Sequence, residues 1–254
     1  MQLFWFQRWK NFDFQNLSKK IESYGFDGIL FPYASYDEDF FISIAKNINV
    51  NSKIKYMVAI RPYTISPQYL FKIIKSINNL SDGRVLINFV SGWIYDDEKI
   101  LGGVHGDIND LSSNIDRSNY LVDYIKTLNK MNSNIVDFYV SVTNDVVFQE
   151  TKNNKVIVPY SWYKQKKFNL YESKSMISIC PVIRKTKEEI DILKDYPVAQ
   201  DTEFFTEKEF LNFLYDLESK HINGLLIFEN AENLENENIL RLIKQHKKII
   251  KGKQ

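Results

Sequence analysis

Short apolar strands alternate with amphipathic helices along this 254-residue chain, and this alternation constrains its fold more than any other feature. It is clearest in residues 54–92, IKYMVAIRPYTISPQYLFKIIKSINNLSDGRVLINFVSG, which give a strand, an Arg-Pro turn, a helix, a Ser-Asp-Gly break and a second strand. The strands are almost continuously apolar, which is typical of strands covered on both faces. The pattern therefore predicts a parallel α/β sheet, either doubly wound or closed into a barrel.

The same pattern predicts about seven parallel strands plus one hairpin. The predicted parallel strands cover residues 3–6, 28–31, 55–60, 84–90, 136–142, 175–183 and 224–229. The stretch 146–165 is interpreted as a hairpin, because apolar runs flank the turn residues Lys152-Asn153-Asn154. No glycine-rich phosphate turn follows the first strand, which favours a shortened TIM-type β/α barrel over a dinucleotide-binding fold. Since no linker or repeat interrupts the chain, we expect a single domain over residues 1–254.

Composition and charge narrow the possible partners. The 33 basic and 32 acidic residues leave a net charge of +1, which gives no electrostatic reason to expect nucleic acid or an anionic membrane as a partner. No run approaches the roughly 18 apolar residues of a membrane helix, and the first residues lack a signal-peptide cleavage pattern. Cys180 is the single cysteine, so an intrachain disulfide is excluded. We expect a cytoplasmic protein.

The histidines and the cysteine do not indicate a site of their own. No two of the three histidines have the spacing of metal ligands, so no metal site is expected. His221 and His246 are expected at helix ends, where the helix dipole favours a positive charge. Cys180 lies between Ile179 and Pro181 in a predicted strand, which is typical of a buried packing residue.

Several motifs in roughly the first half of the chain occur in the order of a known family. They are Ala59 with Arg61-Pro62, Ser66-Pro67, Leu80-Ser81-Asp82-Gly83-Arg84, and Asn88-Phe89-Val90-Ser91-Gly92. Together they resemble the luciferase-like flavin-dependent monooxygenase superfamily, in its alkanesulfonate monooxygenase branch. The stretches FWF, GFDGILFP and EDFFISIA also match the first two units of that family.

This resemblance implies a luciferase-like barrel that holds reduced FMN at the carboxyl ends of its strands and oxidises a small organic substrate. The cofactor would supply the oxygen chemistry, while the protein positions it and excludes water. The resemblance implies that Arg61, Asn88 and Ser91 help to seat the flavin. For Arg61 an alternative stays open, namely a surface arginine paired with Asp37 or Glu38. The resemblance also implies a homo- or hetero-dimer through the first two helices.

Parts of the family's site are missing from this sequence. The Gly-Gly-Ser-Ser turn that binds the flavin phosphate after strand five has no counterpart. The family's His and Tyr after strand four align with Leu111 and Ile115, and its Arg-x-His pair aligns with Ser178 and Cys180. These departures favour a second hypothesis, a non-catalytic subunit or scaffold that pairs with an active homologue. The candidates to hold a phosphate instead are lysines of the predicted hairpin: Lys152, Lys155 and Lys164.

Overall fold

The structure is a computed structural model of the chain. It describes residues 1–7, 13–33, 39–48, 52–92, 111, 113–131, 137–165, 174–194, 202–229 and 233–251. The strands within these residues are β1 (Gln2–Phe6), β2 (Gly28–Phe31), β3 (Lys55–Ile60), β4 (Val85–Phe89), β5 (Phe138–Ser141), β6 (Lys155–Pro159), β7 (Lys174–Arg184), β8 (Thr202–Thr206) and β9 (Gly224–Phe228).

Helices alternate with these strands, as the sequence predicts. Within the described residues they are α1 (Phe14–Ser23), α2 (Phe40–Asn47), α3 (Pro67–Ser81), α4 (Asn114–Lys130), α5 (Asp145–Thr151), α6 (Tyr160–Lys164), α7 (Lys187–Lys194), α8 (Glu207–Ser219) and α9 (Asn233–Lys251). A short 3-10 helix at Pro62–Thr64 follows β3. In the part of the chain that the structure describes, none of these helices is both long enough and apolar enough to cross a bilayer.

The chain divides into two compact units. We call Leu30–Val158 the central unit, and Met1–Ile29 together with Pro159–Gln254 the terminal unit. The single domain expected over residues 1–254 stays a prediction.

In the central unit, four strands form a parallel sheet in the order β3, β4, β5, β6. Strand β4 lies between its neighbours, with Asn88 opposite Ala59 on one side and opposite Tyr139 on the other. Strand β6 extends the sheet, with Val156 opposite Val140. The strands β3 and β4 are buried over nearly their whole length, which accounts for their continuous apolar sequence.

The hairpin predicted for residues 146–165 is wrong. Its first arm is helix α5, whose N-cap Asn144 accepts a hydrogen bond through Oδ1 from the backbone N–H of Val147 at 3.0 Å. Its second arm is β6, which pairs with β5 in parallel. The helix buries Val147, Phe148 and Thr151 on one face. Over seven residues such a face resembles the alternation of a strand, and this ambiguity misled the prediction.

In the terminal unit, the parallel order is β1, β9, β7, β8. Leu226 of β9 lies opposite Phe4 on one side and Ser178 on the other. Strand β7 continues beyond this region, and its second half pairs with β8, where Val182 lies opposite Phe204. Strand β8 was not predicted, because its five residues, TEFFT, are too short to show a clear period. Cys180 is buried in β7, as expected.

Local signals placed most helix starts correctly. Ser66 caps α3 by accepting a hydrogen bond from the backbone N–H of Tyr69 at 3.3 Å, and Pro67 is the first helical residue. Thr206 and Glu209 form a reciprocal capping box at the start of α8. These caps satisfy backbone groups that the helix itself leaves unbonded.

His246 corrects another prediction. It lies inside α9 with no solvent exposure, rather than at a helix end exposed to water. Its ring meets the ring of Tyr215 at 4.7 Å, and Nε2 lies 3.4 Å from Oε1 of Glu218. Burial lowers the pKa of His246, although the Glu218 carboxylate opposes this shift. His221, in contrast, does follow the end of α8, with a positive φ of 55°.

Candidate functional site

The three predicted site residues lie together at the carboxyl ends of β3 and β4 in the central unit. Arg61 follows the last residue of β3, Asn88 is the fourth residue of β4, and Ser91 lies just beyond β4. The strands stay paired up to this point, since the N–H of Val90 donates to the carbonyl oxygen of Ile60 at 3.0 Å. Arg61 and Ser91 therefore leave the sheet side by side.

Asn88 points away from the helix layer. The neighbouring side chain, Phe89, packs against Tyr124 of α4 with ring centres 5.5 Å apart. Since successive side chains of a strand point to opposite faces, Asn88 lies on the other face of the sheet. Arg61, Asn88 and Ser91 are exposed by only 4%, 3% and 1%. Buried polar groups of this kind need partners, and these partners define the site.

Two side-chain hydrogen bonds join the ends of β4 and β5. The hydroxyl of Ser141 donates to Oδ1 of Asn88 at 2.9 Å. Beyond the strands, the hydroxyl oxygens of Ser91 and Thr143 lie 3.2 Å apart. The first bond uses the carbonyl end of the Asn88 amide, so the N–H groups of Nδ2 take no part in it. Sequence reasoning missed Ser141, the last residue of β5, and Thr143 just beyond it, although polar residues at the carboxyl end of an apolar strand are typical of the site in β/α barrels.

Arg61 is held between a ring and a glycine. Its guanidinium carbon lies 4.5 Å from the centre of the Tyr33 ring, a cation–π arrangement. Gly92 has a φ of +53°, and a Cβ atom there would come within 2.6 Å of Nε of Arg61. Glycine is therefore required at position 92, for its backbone conformation and for this close approach. The surface position that the alternative gave to Arg61 is wrong, because Arg61 is buried. Its pairing with Asp37 or Glu38 stays a prediction, since both acids lie outside the described residues.

A second arginine, Arg117, contacts the turn after β4, and the sequence analysis did not predict it as part of the site. Arg117 of α4 is buried, and its Nε donates to the carbonyl oxygen of Gly92 at 2.8 Å. Its Nη1 donates to the carbonyl oxygen of Leu111 at 2.9 Å. The position that aligns with the family's tyrosine, Ile115, is exposed. No local signal marks an arginine in an amphipathic helix as one that binds a distant turn.

Two of the lysines proposed to replace the phosphate turn, Lys152 and Lys155, lie away from the carboxyl ends of β3 to β5. Lys155 opens β6 at its amino end, and its Nζ pairs with Oδ2 of Asp137 at 2.6 Å. Lys164 pairs with Glu203 at 3.1 Å in the terminal unit. Lys152 follows α5 and is exposed. Among the described residues, the carboxyl ends of β3 to β5 thus offer the guanidinium of Arg61, the amide of Asn88 and several hydroxyl groups.

This arrangement suits a neutral or anionic polar ligand better than a metal ion. Guanidinium, amide and hydroxyl groups supply N–H and O–H donors. Among the residues that the structure describes, no group of three His, Cys, Asp or Glu side chains is placed to hold a metal.

Comparison with known proteins identifies the family and the fold of the chain. A family model described as luciferase-like monooxygenase matches residues 12–138, which is half of the chain. A solved riboflavin lyase with modified FMN and riboflavin is 10% identical, with a TM-score of 0.68, covering 95% of this chain and 90% of the lyase.

Two further solved structures have the same fold. The coenzyme F420-dependent tetrahydromethanopterin reductase from Methanopyrus kandleri is 12% identical, with a TM-score of 0.64 and coverage of 91% of this chain and 93% of the reductase. The FMN-bound oxygenating constituent of 3,6-diketocamphane monooxygenase from Pseudomonas putida is 10% identical, with a TM-score of 0.61 and coverage of 96% of both chains. At such identities the likeness shows the fold, so the predicted luciferase-like TIM-type β/α barrel is confirmed. The narrower alkanesulfonate branch stays a prediction.

Proposed function

This chain belongs to the luciferase-like monooxygenase family, and on that premise we propose that it binds FMN in its reduced form and takes part in oxidising a small organic substrate. The observation that carries the proposal is the buried cluster of Arg61, Asn88 and Ser91 at the carboxyl ends of β3 and β4. In β/α barrels the reacting groups gather at this edge of the strands. Neighbours of the same fold bind FMN or use coenzyme F420, which supports a flavin-type cofactor.

Each of the three residues has a distinct part in the proposal. Arg61 carries a permanent positive charge and donates to the carbonyl and ring-nitrogen acceptors of the flavin. Nδ2 of Asn88 donates to the same polar edge, since Oδ1 already accepts from Ser141. Ser91, fixed beside Thr143, donates or accepts as the flavin's redox state requires. When bound, reduced FMN supplies the electrons that activate oxygen.

Titration with oxidised FMN, and with reduced FMN under anaerobic conditions, tests the proposal by fluorescence and calorimetry. We expect a dissociation constant below about 10 µM, roughly −7 kcal/mol. Parallel titrations with riboflavin and coenzyme F420 show whether the phosphate or the ring type matters. Absence of FMN binding at several hundred micromolar would refute the proposal.

A matched pair of variants locates the site. Asn88→Ala removes a polar group at the carboxyl end of β4 and should weaken FMN binding by about tenfold, the loss of one hydrogen bond to the ligand. Asn78→Ala removes a polar group near the amino end of the same strand, where Oδ1 accepts from the N–H of Val85 at 3.1 Å. Equal losses in the two variants would argue that Asn88 acts through stability alone.

A second candidate function is a non-catalytic subunit that pairs with an active homologue. Exposed apolar residues on two neighbouring helices favour it: Ile42 of α2 is 69% exposed, and Tyr69 and Leu80 of α3 are 61% and 63% exposed. The expected interface used the first two helices, whereas these residues point to α2 and α3. A contiguous exposed apolar patch is typical of an interaction site, and the proposal places the interface on these two helices.

Light scattering tests this candidate on the purified protein. A dimer that dissociates in Ile42→Lys, while Ile192→Lys on α7 remains dimeric, would support an interface at α2 and α3. Ile192 is a suitable control because it is similarly exposed, at 65%, on another helix. A monomer that binds FMN and turns over substrate alone would refute the subunit hypothesis.

A further inference from the structure

The guanidinium of Arg117 joins two residues that are far apart in sequence, Gly92 and Leu111. Arg117, in the first turn of α4, donates from Nε to the carbonyl oxygen of Gly92 and from Nη1 to that of Leu111, at 2.8 and 2.9 Å. Gly92 and Leu111 directly flank residues 93–110 in the sequence. The fork of a guanidinium fixes the direction of both bonds at once, and both are charge-assisted.

The turn held by Arg117 also carries the candidate site. Gly92 follows Ser91, whose hydroxyl lies 3.2 Å from that of Thr143. The backbone of Gly92 approaches Arg61 so closely that a Cβ atom would lie 2.6 Å from Nε. A shift of the Gly92 carbonyl would therefore move Ser91 and release the packing on Arg61.

Ser118, the residue after Arg117, accepts a hydrogen bond from the turn that follows β5. Nδ2 of Asn144, which follows β5, donates to Oγ of Ser118 at 2.8 Å. Oδ1 of the same side chain caps α5. The first turn of α4 thus anchors the turns after both β4 and β5, which together carry Ser91 and Thr143.

We propose that Arg117 is a positioning residue that sets the geometry of the turn after β4 and, through it, the affinity of the site for flavin. The inference deepens the proposed function and rests on it. Lysine at this position keeps the charge but, as a single point donor, does not reproduce the planar fork that meets two carbonyl oxygens. Arg117→Lys is therefore the informative substitution.

The chain offers a matched control at the opposite end of β4. Arg84 also bridges two backbone carbonyl oxygens, since Nε donates to Ser81 at 2.8 Å and Nη1 to Ile54 at 3.5 Å. It lies just before β4 begins, at the amino edge. Arg84→Lys therefore removes a similar fork without touching the turn that carries Ser91.

The experiment measures FMN affinity and thermal unfolding for the wild type, Arg117→Lys and Arg84→Lys. We expect Arg117→Lys to weaken FMN binding by about tenfold or more, the factor of one charge-assisted hydrogen bond. Arg84→Lys should bind within about twofold of the wild type, below the value of one hydrogen bond, at temperatures where all three proteins are folded. Equal affinity in the two variants would overturn the proposal.

A second readout does not depend on flavin. Amide hydrogen exchange reports on the N–H of Val90, which donates to the carbonyl oxygen of Ile60 at 3.0 Å next to the turn that Arg117 contacts. We expect this amide to exchange faster in Arg117→Lys than in the wild type and Arg84→Lys. If none of the three proteins binds FMN, the proposed function fails. The rate measured in this second experiment then decides by itself whether Arg117 anchors the turn. An unchanged rate would overturn that role as well.

Discussion

The two ends of β4 are both polar and hydrogen bonded, yet they are built in different ways. Near the amino end, Oδ1 of Asn78 accepts from the N–H of Val85 and from the hydroxyl of Ser81, and Arg84 donates to the carbonyl oxygen of Ser81. These partners lie within seven residues of each other in the chain. They close the helix-to-strand turn, which is a structural task.

At the carboxyl end the partners are distant in sequence. Ser141 donates to Asn88 across 53 positions, and Ser91 lies beside Thr143 across 52. Such bonds form only after the sheet has assembled. Local bonds therefore shape the turn at the amino end, whereas long-range bonds between side chains hold buried polar groups together at the carboxyl end. Barrels divide stability and function between their edges in this way.

We expect the largest effect on stability from replacing a glycine at each end of β4, Gly92 and Gly83, with alanine. Gly92→Ala should destabilise the protein by about 3 kcal/mol, because it adds left-handed strain and a clash with Arg61. Gly83→Ala, before β4, has a similar φ of +71° but no atom within 4 Å of the new Cβ, so about 1 kcal/mol is expected. Urea unfolding measures both. Equal costs would contradict the close contact between Gly92 and Arg61.

A double-mutant cycle on Asn88 and Ser141 comes next. Asn88→Ala should cost about 2 kcal/mol of unfolding free energy, because the hydroxyl of Ser141 loses its acceptor in a buried place. Ser141→Ala should cost less, and the double variant should show a coupling of about 1 kcal/mol. Additive effects in denaturant unfolding would mean that this bond contributes nothing to stability.

The pair beyond the strands should give a smaller effect. Thr143→Val keeps the shape of the side chain but removes the hydroxyl next to Ser91. We expect the free energy of unfolding to fall by about 1 kcal/mol and FMN binding to become weaker. The control is Thr127→Val on α4, whose hydroxyl donates to the carbonyl oxygen of Asp123 on an exposed surface. If Thr127→Val weakens FMN binding equally, the contact between Ser91 and Thr143 has no special role.

The smallest effect concerns pH and lies in the terminal unit. Asn88, Ser91, Ser141 and Thr143 carry no ionisable group, so acid should act elsewhere. His246 has a pKa lowered by burial, opposed by Glu218 and reinforced by Lys247 and the amino terminus.

The sign of the His246 effect follows from this shift. The unfolded chain binds a proton near pH 6.5 and the folded protein only at lower pH, so stability is full above that range and falls as pH drops through it. Unfolding at pH 7.5 and 5.5 measures the loss, which His246→Gln should reduce. An unchanged pH dependence in this variant would assign the loss to other groups.

The sequence predicts most strands and helices correctly, but the prediction for the region directly after β5 was wrong. Apolar periods and caps mark α3 and α8 in the sequence because those signals act within a few residues. Residues 145–159 form a helix and a parallel strand, yet their short apolar runs fit a hairpin equally well. His246 likewise fits both a solvated helix end and a buried helix face, and only packing against Tyr215 decides between them.

The order of strands and helices can be read from the amino-acid sequence, as can the positions of Arg61, Asn88 and Ser91 at the ends of adjacent strands. The contacts of Ser141 and Thr143 with this cluster, and the bond from Arg117 to Gly92, appear only in the folded chain. The difference arises from distance along the chain. Dihedral preferences and helix caps are set by near neighbours, whereas Arg117 meets Gly92 across 25 positions, and a bond of that kind leaves no periodic trace in the sequence.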